Sequence, residues 1–141
     1  MSRRPDERGS AAIEAVIGMP AFVLFVGLII FGGRTAITHQ SLESAAAEAA
    51  RSASIARDAE SARTGAQQAA VTSINNQQIH CQDIEVDVDI TAFNKDPGQP
   101  GTVRVRLSCR LDLSDLTVPG LPGSRVLSAT MSSPIDTWRE R

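Results

Sequence analysis

Residues 15–33, AVIGMPAFVLFVGLIIFGG, contain no charged or strongly polar side chain. As a helix, these nineteen residues rise about 28 Å, close to the roughly 30 Å hydrocarbon thickness of a bilayer. The run therefore predicts a single membrane-spanning helix. A buried core helix is one competing reading, but a helix apolar all round needs large apolar neighbours on every side. Three of the four phenylalanines (Phe22, Phe25, Phe31) lie inside the run, which leaves Phe93 and Trp138 as the only aromatics elsewhere. A cleaved secretory signal is the other competitor, because it shares the basic start and apolar stretch. The run is longer than a usual signal core, and the IIFGGRTAIT at its end offers no good small-x-small cleavage site.

Arg3, Arg4 and Arg8 precede the run and only Arg34 follows closely, so the positive-inside rule puts the N-terminus in the cytoplasm. Residues 35–141 then lie outside. Net charge is −2, and the basic residues, all arginine except Lys95, are scattered rather than clustered. With no tyrosine and almost no aromatic left to stack on bases, the composition argues against a nucleic-acid partner.

After Arg34 the chain is rich in alanine and free of proline up to the asparagines at 75 and 76. Alanine has the best helix propensity, and Glu48 with Arg51 and Glu60 with Arg63 stand at i,i+3 spacing, so one continuous helix is predicted. Joined to the apolar run, it makes a rod of roughly sixty residues, about 90 Å long. Gly65 weakens it locally, and Gly32 and Gly33 allow a bend at the membrane surface. Its apolar positions (Leu42, Ala45, Ala46, Ala49, Ala53 and Ala70 among them) form a stripe of small residues that permits close approach but buries little area per residue.

The period then changes from helical to two. In DIEVDVDITAF, Ile84, Val86, Val88 and Ile90 alternate with Asp83, Glu85, Asp87 and Asp89. In TVRVRLSCRLDL, Val103, Val105, Leu107, Cys109, Leu111 and Leu113 alternate with Arg104, Arg106, Ser108, Arg110 and Asp112. Two half-buried strands joined by the turn-rich NKDPGQPG read as an antiparallel hairpin. If Asp89 lies opposite Arg104, the same register places Asp87 opposite Arg106 and Asp83 opposite Arg110. Such pairs are worth a few tenths to about 1 kcal/mol each and help fix register. Two Pro-Gly steps make residues 119–123 a loop, and SRVLSATMSS gives a third strand with Leu127, Ala129 and Met131 on one side, ended by Pro134. The predicted fold is α+β: a long N-terminal helix packed on a small antiparallel sheet of about three strands, with a thin core.

Cys81 and Cys109 are the only cysteines. On the outer side of the membrane an even count favours a disulfide, which closes a loop of about 29 residues and contributes about 3 to 4 kcal/mol by chain entropy. Strand parity points Cys109 inward but would leave Cys81 on the outer face, so Cys81 is expected in the loop before the strand. Two buried free thiols are the alternative. No hydrolase triad, phosphate loop or zinc signature occurs, and His39 and His80 lack recognised ligand spacing. No catalytic, cofactor-binding or metal-binding residues are expected, no small-molecule substrate is implied, and the chain is not read as an enzyme.

Glu14 and Pro20 remain. Pro20 removes a helix hydrogen bond near Val16 and predicts a kink. Glu14 has a simple explanation at the headgroups, near the positive end of the helix dipole. It also stands five residues after Gly9, so a cut between Gly9 and Ser10 would make it the fifth residue of the mature chain. That arrangement resembles the type IV pilin-like proteins. The wider stretch RGSAAIEAVIGMPAFVLFVGLIIFG, with its basic leader, glycine before small residues, glutamate, proline and closing aromatic-glycine, resembles the TadE-like family of tight-adherence pilus systems. AAAEAARSASIA and RVLSATMSSP are similar to that family's later segments. Ala15 stands where such proteins often carry an aromatic.

The resemblance implies a minor pilin-like subunit, cut by a membrane-embedded prepilin peptidase, whose Glu14 carboxylate pairs with the new Ser10 amino group on an adjacent subunit. Its implied partners are other pilin-like subunits and pilus assembly proteins, the peptidase and the lipid bilayer. The chain then divides into a basic cytoplasmic leader (1–9), a transmembrane helix (10–33), an alanine-rich extracytoplasmic helix (34–76) and a small β domain (77–141), a single-pass protein of the cell membrane. The alternatives are an unprocessed structural component of the secretion apparatus and a membrane-tethered extracytoplasmic binding module.

Overall fold

The computed structural model describes residues 8–96, 98–115, 119–120 and 122–137; Arg3, Arg4 and Trp138 lie outside the described residues. Helix α1 runs unbroken over Arg8–Ser54 and contains Pro20, Gly32 and Gly33. At helical rise its 47 residues extend about 70 Å. Helix α2 (Ala59–Asn76) follows, then strands β1 (Cys81–Asp89), β2 (Thr102–Asp112) and β3 (Ser124–Pro134), with one 3-10 turn at Thr91–Asn94. The three strands form one antiparallel sheet in the order β1-β2-β3. The predicted α+β layout of a long helix on a three-stranded sheet is what the chain adopts.

The predicted single helix through residue 76 is corrected: the chain breaks at residues 55–58 and folds back as a hairpin of two helices. Local chemistry marks the break. Ser54 donates its hydroxyl to the Arg51 carbonyl at 2.8 Å. Asp58 then adopts an extended backbone and accepts from the Ser61 amide and the Ser61 hydroxyl, both at 2.8 Å, capping α2. Packing rewards the reversal. Ala45, Ala46, Ala49, Ala50 and Ala53 of α1 and Ala62, Ala66, Ala70 and Ile74 of α2 are all buried in one core; on a straight rod the second set would face water. Gly65 permits the approach, since a Cβ there would come within 3.2 Å of the Ser52 hydroxyl oxygen. At its far end α2 closes with Gln78 in the left-handed region (φ 54°) and the Ile79 amide bonded back to the Ile74 carbonyl.

The sheet lays its apolar face against this hairpin. Along β2, Val103, Val105, Leu107, Cys109 and Leu111 are buried while Arg104, Arg106 and Arg110 are exposed. Leu127 and Ala129 of β3 face the same core, as the alternation predicts, and Val126 is exposed. Helix α1 packs on β3 and β2, and α2 reaches β1. The charged register is the predicted one: Asp83 opposite Arg110, Asp87 opposite Arg106, Asp89 opposite Arg104. Strand β1 stops one residue short of the predicted alternation. Asp89 accepts from the Thr91 amide (3.0 Å) and hydroxyl (2.7 Å), which turns the chain into the 3-10 segment and buries Ala92 and Phe93.

Cys81 and Cys109 are joined by a disulfide with Cα atoms 5.5 Å apart. Cys81 is not in the preceding loop but is the first residue of β1, opposite Leu111. The parity conflict is resolved by a register shift between Cys81 and Asp83. Gln82 is the extra residue of this bulge, and skipping it moves Cys81 from the outer side to the inner one. Replacing both cysteines by alanine is expected to lower stability by about 2–5 kcal/mol, read from the denaturant midpoint; an unchanged midpoint would show that the sheet needs no staple.

Three turn-closing aspartates are held below the usual carboxylate range. Asp58 is lowered first by the Ser61 amide, Asp89 first by the Thr91 hydroxyl, and Asp112 first by the Ser114 hydroxyl. Because each is depressed in the fold, its contribution is present above the unfolded carboxylate value of about 3.9 and is lost as pH falls through the folded value. Stability is therefore expected to hold through neutral pH and decline below about pH 4. Asp58→Asn, which caps without titrating, should make that decline shallower in an acid titration followed by circular dichroism.

Candidate assembly helix

From Ile13 to Ile30 the large apolar side chains of α1 are exposed on all sides. Val16, Met19, Phe22, Val23 and Phe25 are each at least 60% exposed, so no part of the described fold covers them. This is the one described helix long and apolar enough to cross a membrane. A helix apolar all round is stable only in lipid or inside a bundle of other helices. Along α1 the change of role is sharp: beyond Arg34, Thr38 and Leu42 are buried against the rest of the fold.

Glu14, also exposed, lies in the second turn of α1. Gly9 and Ser10 are the second and third residues of the helix. Pro20 is exposed one and a half turns beyond Glu14. Among the described residues Glu14 has neither a hydrogen bond nor an ion pair.

A second feature escaped sequence reading. Where the apolar run ends, Arg34 donates to Asp115 at 2.6 Å, in the connection between β2 and β3. Residues 81 positions apart are brought together, and only the return of the sheet to the base of the stalk does this; no spacing rule could find it. An open groove of about 560 Å³ lies beside the pair, lined also by Ile37, His80 and Asp112. His39 instead sits on α1 beside Glu43, at 3.5 Å. Among the described residues no three His, Cys, Asp or Glu side chains cluster as metal ligands do.

Fold and site together define a class: an α+β protein whose head is built on the second half of a helix that presents its bare apolar first half to an external environment. Within that class, the family model described as TadE-like protein matches residues 9–51. The matched stretch begins at Gly9 and ends three residues before the end of α1, so the TadE-like character resides in that helix. The match covers 43 of the 141 residues, less than a third of the chain. No curated protein and no solved structure matches the chain. The sheet lies outside the matched residues and is described by its own geometry alone.

The Arg34–Asp115 pair is half exposed on both sides, so Arg34→Ala should change stability by less than about 1 kcal/mol. It should nonetheless increase protease cleavage between β2 and β3 several-fold, because the pair ties that connection to the stalk. Equal cleavage of variant and parent would assign the tie to the strands alone.

Proposed function

We propose that this chain is a minor pilin-like, TadE-like subunit of a tight-adherence pilus assembly and secretion system, anchored by residues 10–33 with its head outside the cytoplasm. The observation that carries the proposal is the all-round exposure of the apolar half of α1 within the TadE-like segment. Lipid covers that surface before assembly and neighbouring helices cover it afterwards. The leader is cut between Gly9 and Ser10 by a prepilin peptidase on the cytoplasmic side. The amino group so created on Ser10 is the cation that pairs with Glu14 of an adjacent subunit, a carboxylate with no ion pair among the described residues. Buried as they join, the two charges contribute little net stability, but an unpaired charge in that position is costly, so the pair selects one register. Residues 34–76 form the helical layer of the head, and the sheet packed on them presents its outer face to partners.

The mature N-terminus is the first test: intact mass should show loss of residues 1–9, and retention of Met1 would favour the unprocessed anchor. Glu14→Ala should leave the protein in the membrane fraction but remove it from co-purified pilus complexes, with Glu14→Gln showing the same loss. Normal incorporation of both variants would reduce Glu14 to an interfacial residue.

A further inference from the structure

The outer face of the sheet is divided by charge into columns. Strand β1 presents Asp83, Glu85, Asp87 and Asp89; β2 presents Arg104, Arg106 and Arg110, with Ser108 among them; β3 presents Ser128, Thr130 and Ser132. The register sets acid and base side by side in three rows, 83/110, 87/106 and 89/104. Among the described residues none of these rows closes into an ion pair, although the charge of Arg104 acts on Asp89, which spends one carboxylate oxygen on Thr91. The face is therefore an exposed acid column beside an exposed basic one, with charge left over for a partner.

We propose that this face docks on the same face of a second copy of the chain, about a two-fold axis that runs parallel to the strands between β1 and β2. Such an axis keeps height along the strands unchanged and exchanges the two columns. Each row then meets itself reversed, with Asp87 over the other copy's Arg106 and Arg106 over its Asp87, and so on for 83/110. A two-fold axis across the strands would instead set each acid column over acid. The allowed axis also leaves both copies of α1 pointing the same way, since the strands of β1 and β3 run from the Arg34–Asp115 end toward the Ser54 end, where Ser133 bonds Ser54. Antiparallel pairing along the β3 edge fails that condition, because it sends the two stalks in opposite directions. The inference rests on the function proposed above only in this: a shared membrane holds both copies upright.

The contact is small. The two strands that overlap, about nine residues long at 3.3 Å rise and 4.8 Å spacing, cover roughly 290 Å² per copy, or about 600 Å² in total, below the roughly 1,200–2,000 Å² total of a stable interface. The pairing is consequently weak and salt-sensitive, and tethering in one bilayer raises the local concentration that drives it.

The experiment uses the full chain in native membranes, every copy carrying Ser108→Cys and treated with a short bismaleimide. The unaltered face should give a cross-linked dimer that fades at high salt. An all-acid face (Arg104→Glu, Arg106→Glu, Arg110→Glu) and an all-basic face (Asp83→Lys, Glu85→Lys, Asp87→Lys) should each lose about tenfold in yield alone, while the two co-expressed should recover it as the mixed dimer. Arg106→Gln with Arg110→Gln, which keeps the sheet free of like-charge columns, should also lower the yield. Undiminished cross-linking of the all-acid chain, or no recovery in the mixture, overturns the proposal. Retention in carbonate-washed membranes is scored on the same samples. Chains that stay in the membrane but do not cross-link refute the face, and chains that cross-link by charge but wash out refute the anchor.

Discussion

Close contact between two alanine stripes is what the head depends on. Leu42, Ala45, Ala46, Ala49, Ala50 and Ala53 meet Ala62, Ala66, Ala70 and Ile74 with almost no exposed surface left. Each methyl removes little area from water, so the gain comes from number and from dispersion at short range. Short side chains make the two backbones approach, and that approach forms a surface broad enough for a three-stranded sheet. Without the hairpin, β2 would have only one narrow helix to cover Val103, Val105 and Leu107.

One helix serves two environments because its composition changes at Arg34. Before it, bulky apolar side chains point in every direction; after it, small residues line one face and polar ones the other. The Arg34–Asp115 pair lies at the boundary and joins the sheet's return loop to the stalk. Its contribution to stability is small, but it sets where the head begins relative to the apolar surface.

The head offsets its thin core with connections that need no bulky residues. A disulfide ties β1 to β2, aspartates close three turns with hydrogen bonds from nearby Ser and Thr, and opposite charges face each other across β1 and β2. Gly101 lets the β1–β2 connection pass against Ala92, where a Cβ would come within 2.9 Å of that side chain. These contacts are mostly local or cross-strand.

What was legible in the sequence was whatever one periodicity controls. The absence of polar groups over residues 15–33 determined the exposed apolar helix. Alternation determined the buried faces of all three strands, and the order of charges determined the β1–β2 register, because a slip of one residue would reverse every side chain. The same parity showed that Cys81 and Cys109 were in conflict, but not how the conflict ends. Tertiary structure decided the rest. The helix breaks at residues 55–58 although alanine would continue it, because folding back buries a stripe that a straight rod exposes. Gln82 is skipped because the inward Cys81 can then reach Cys109. Arg34 finds Asp115 only once the sheet has turned back to the base of the stalk. Helix propensity and strand alternation act over a few residues, whereas these outcomes depend on surfaces brought together from opposite ends of the chain.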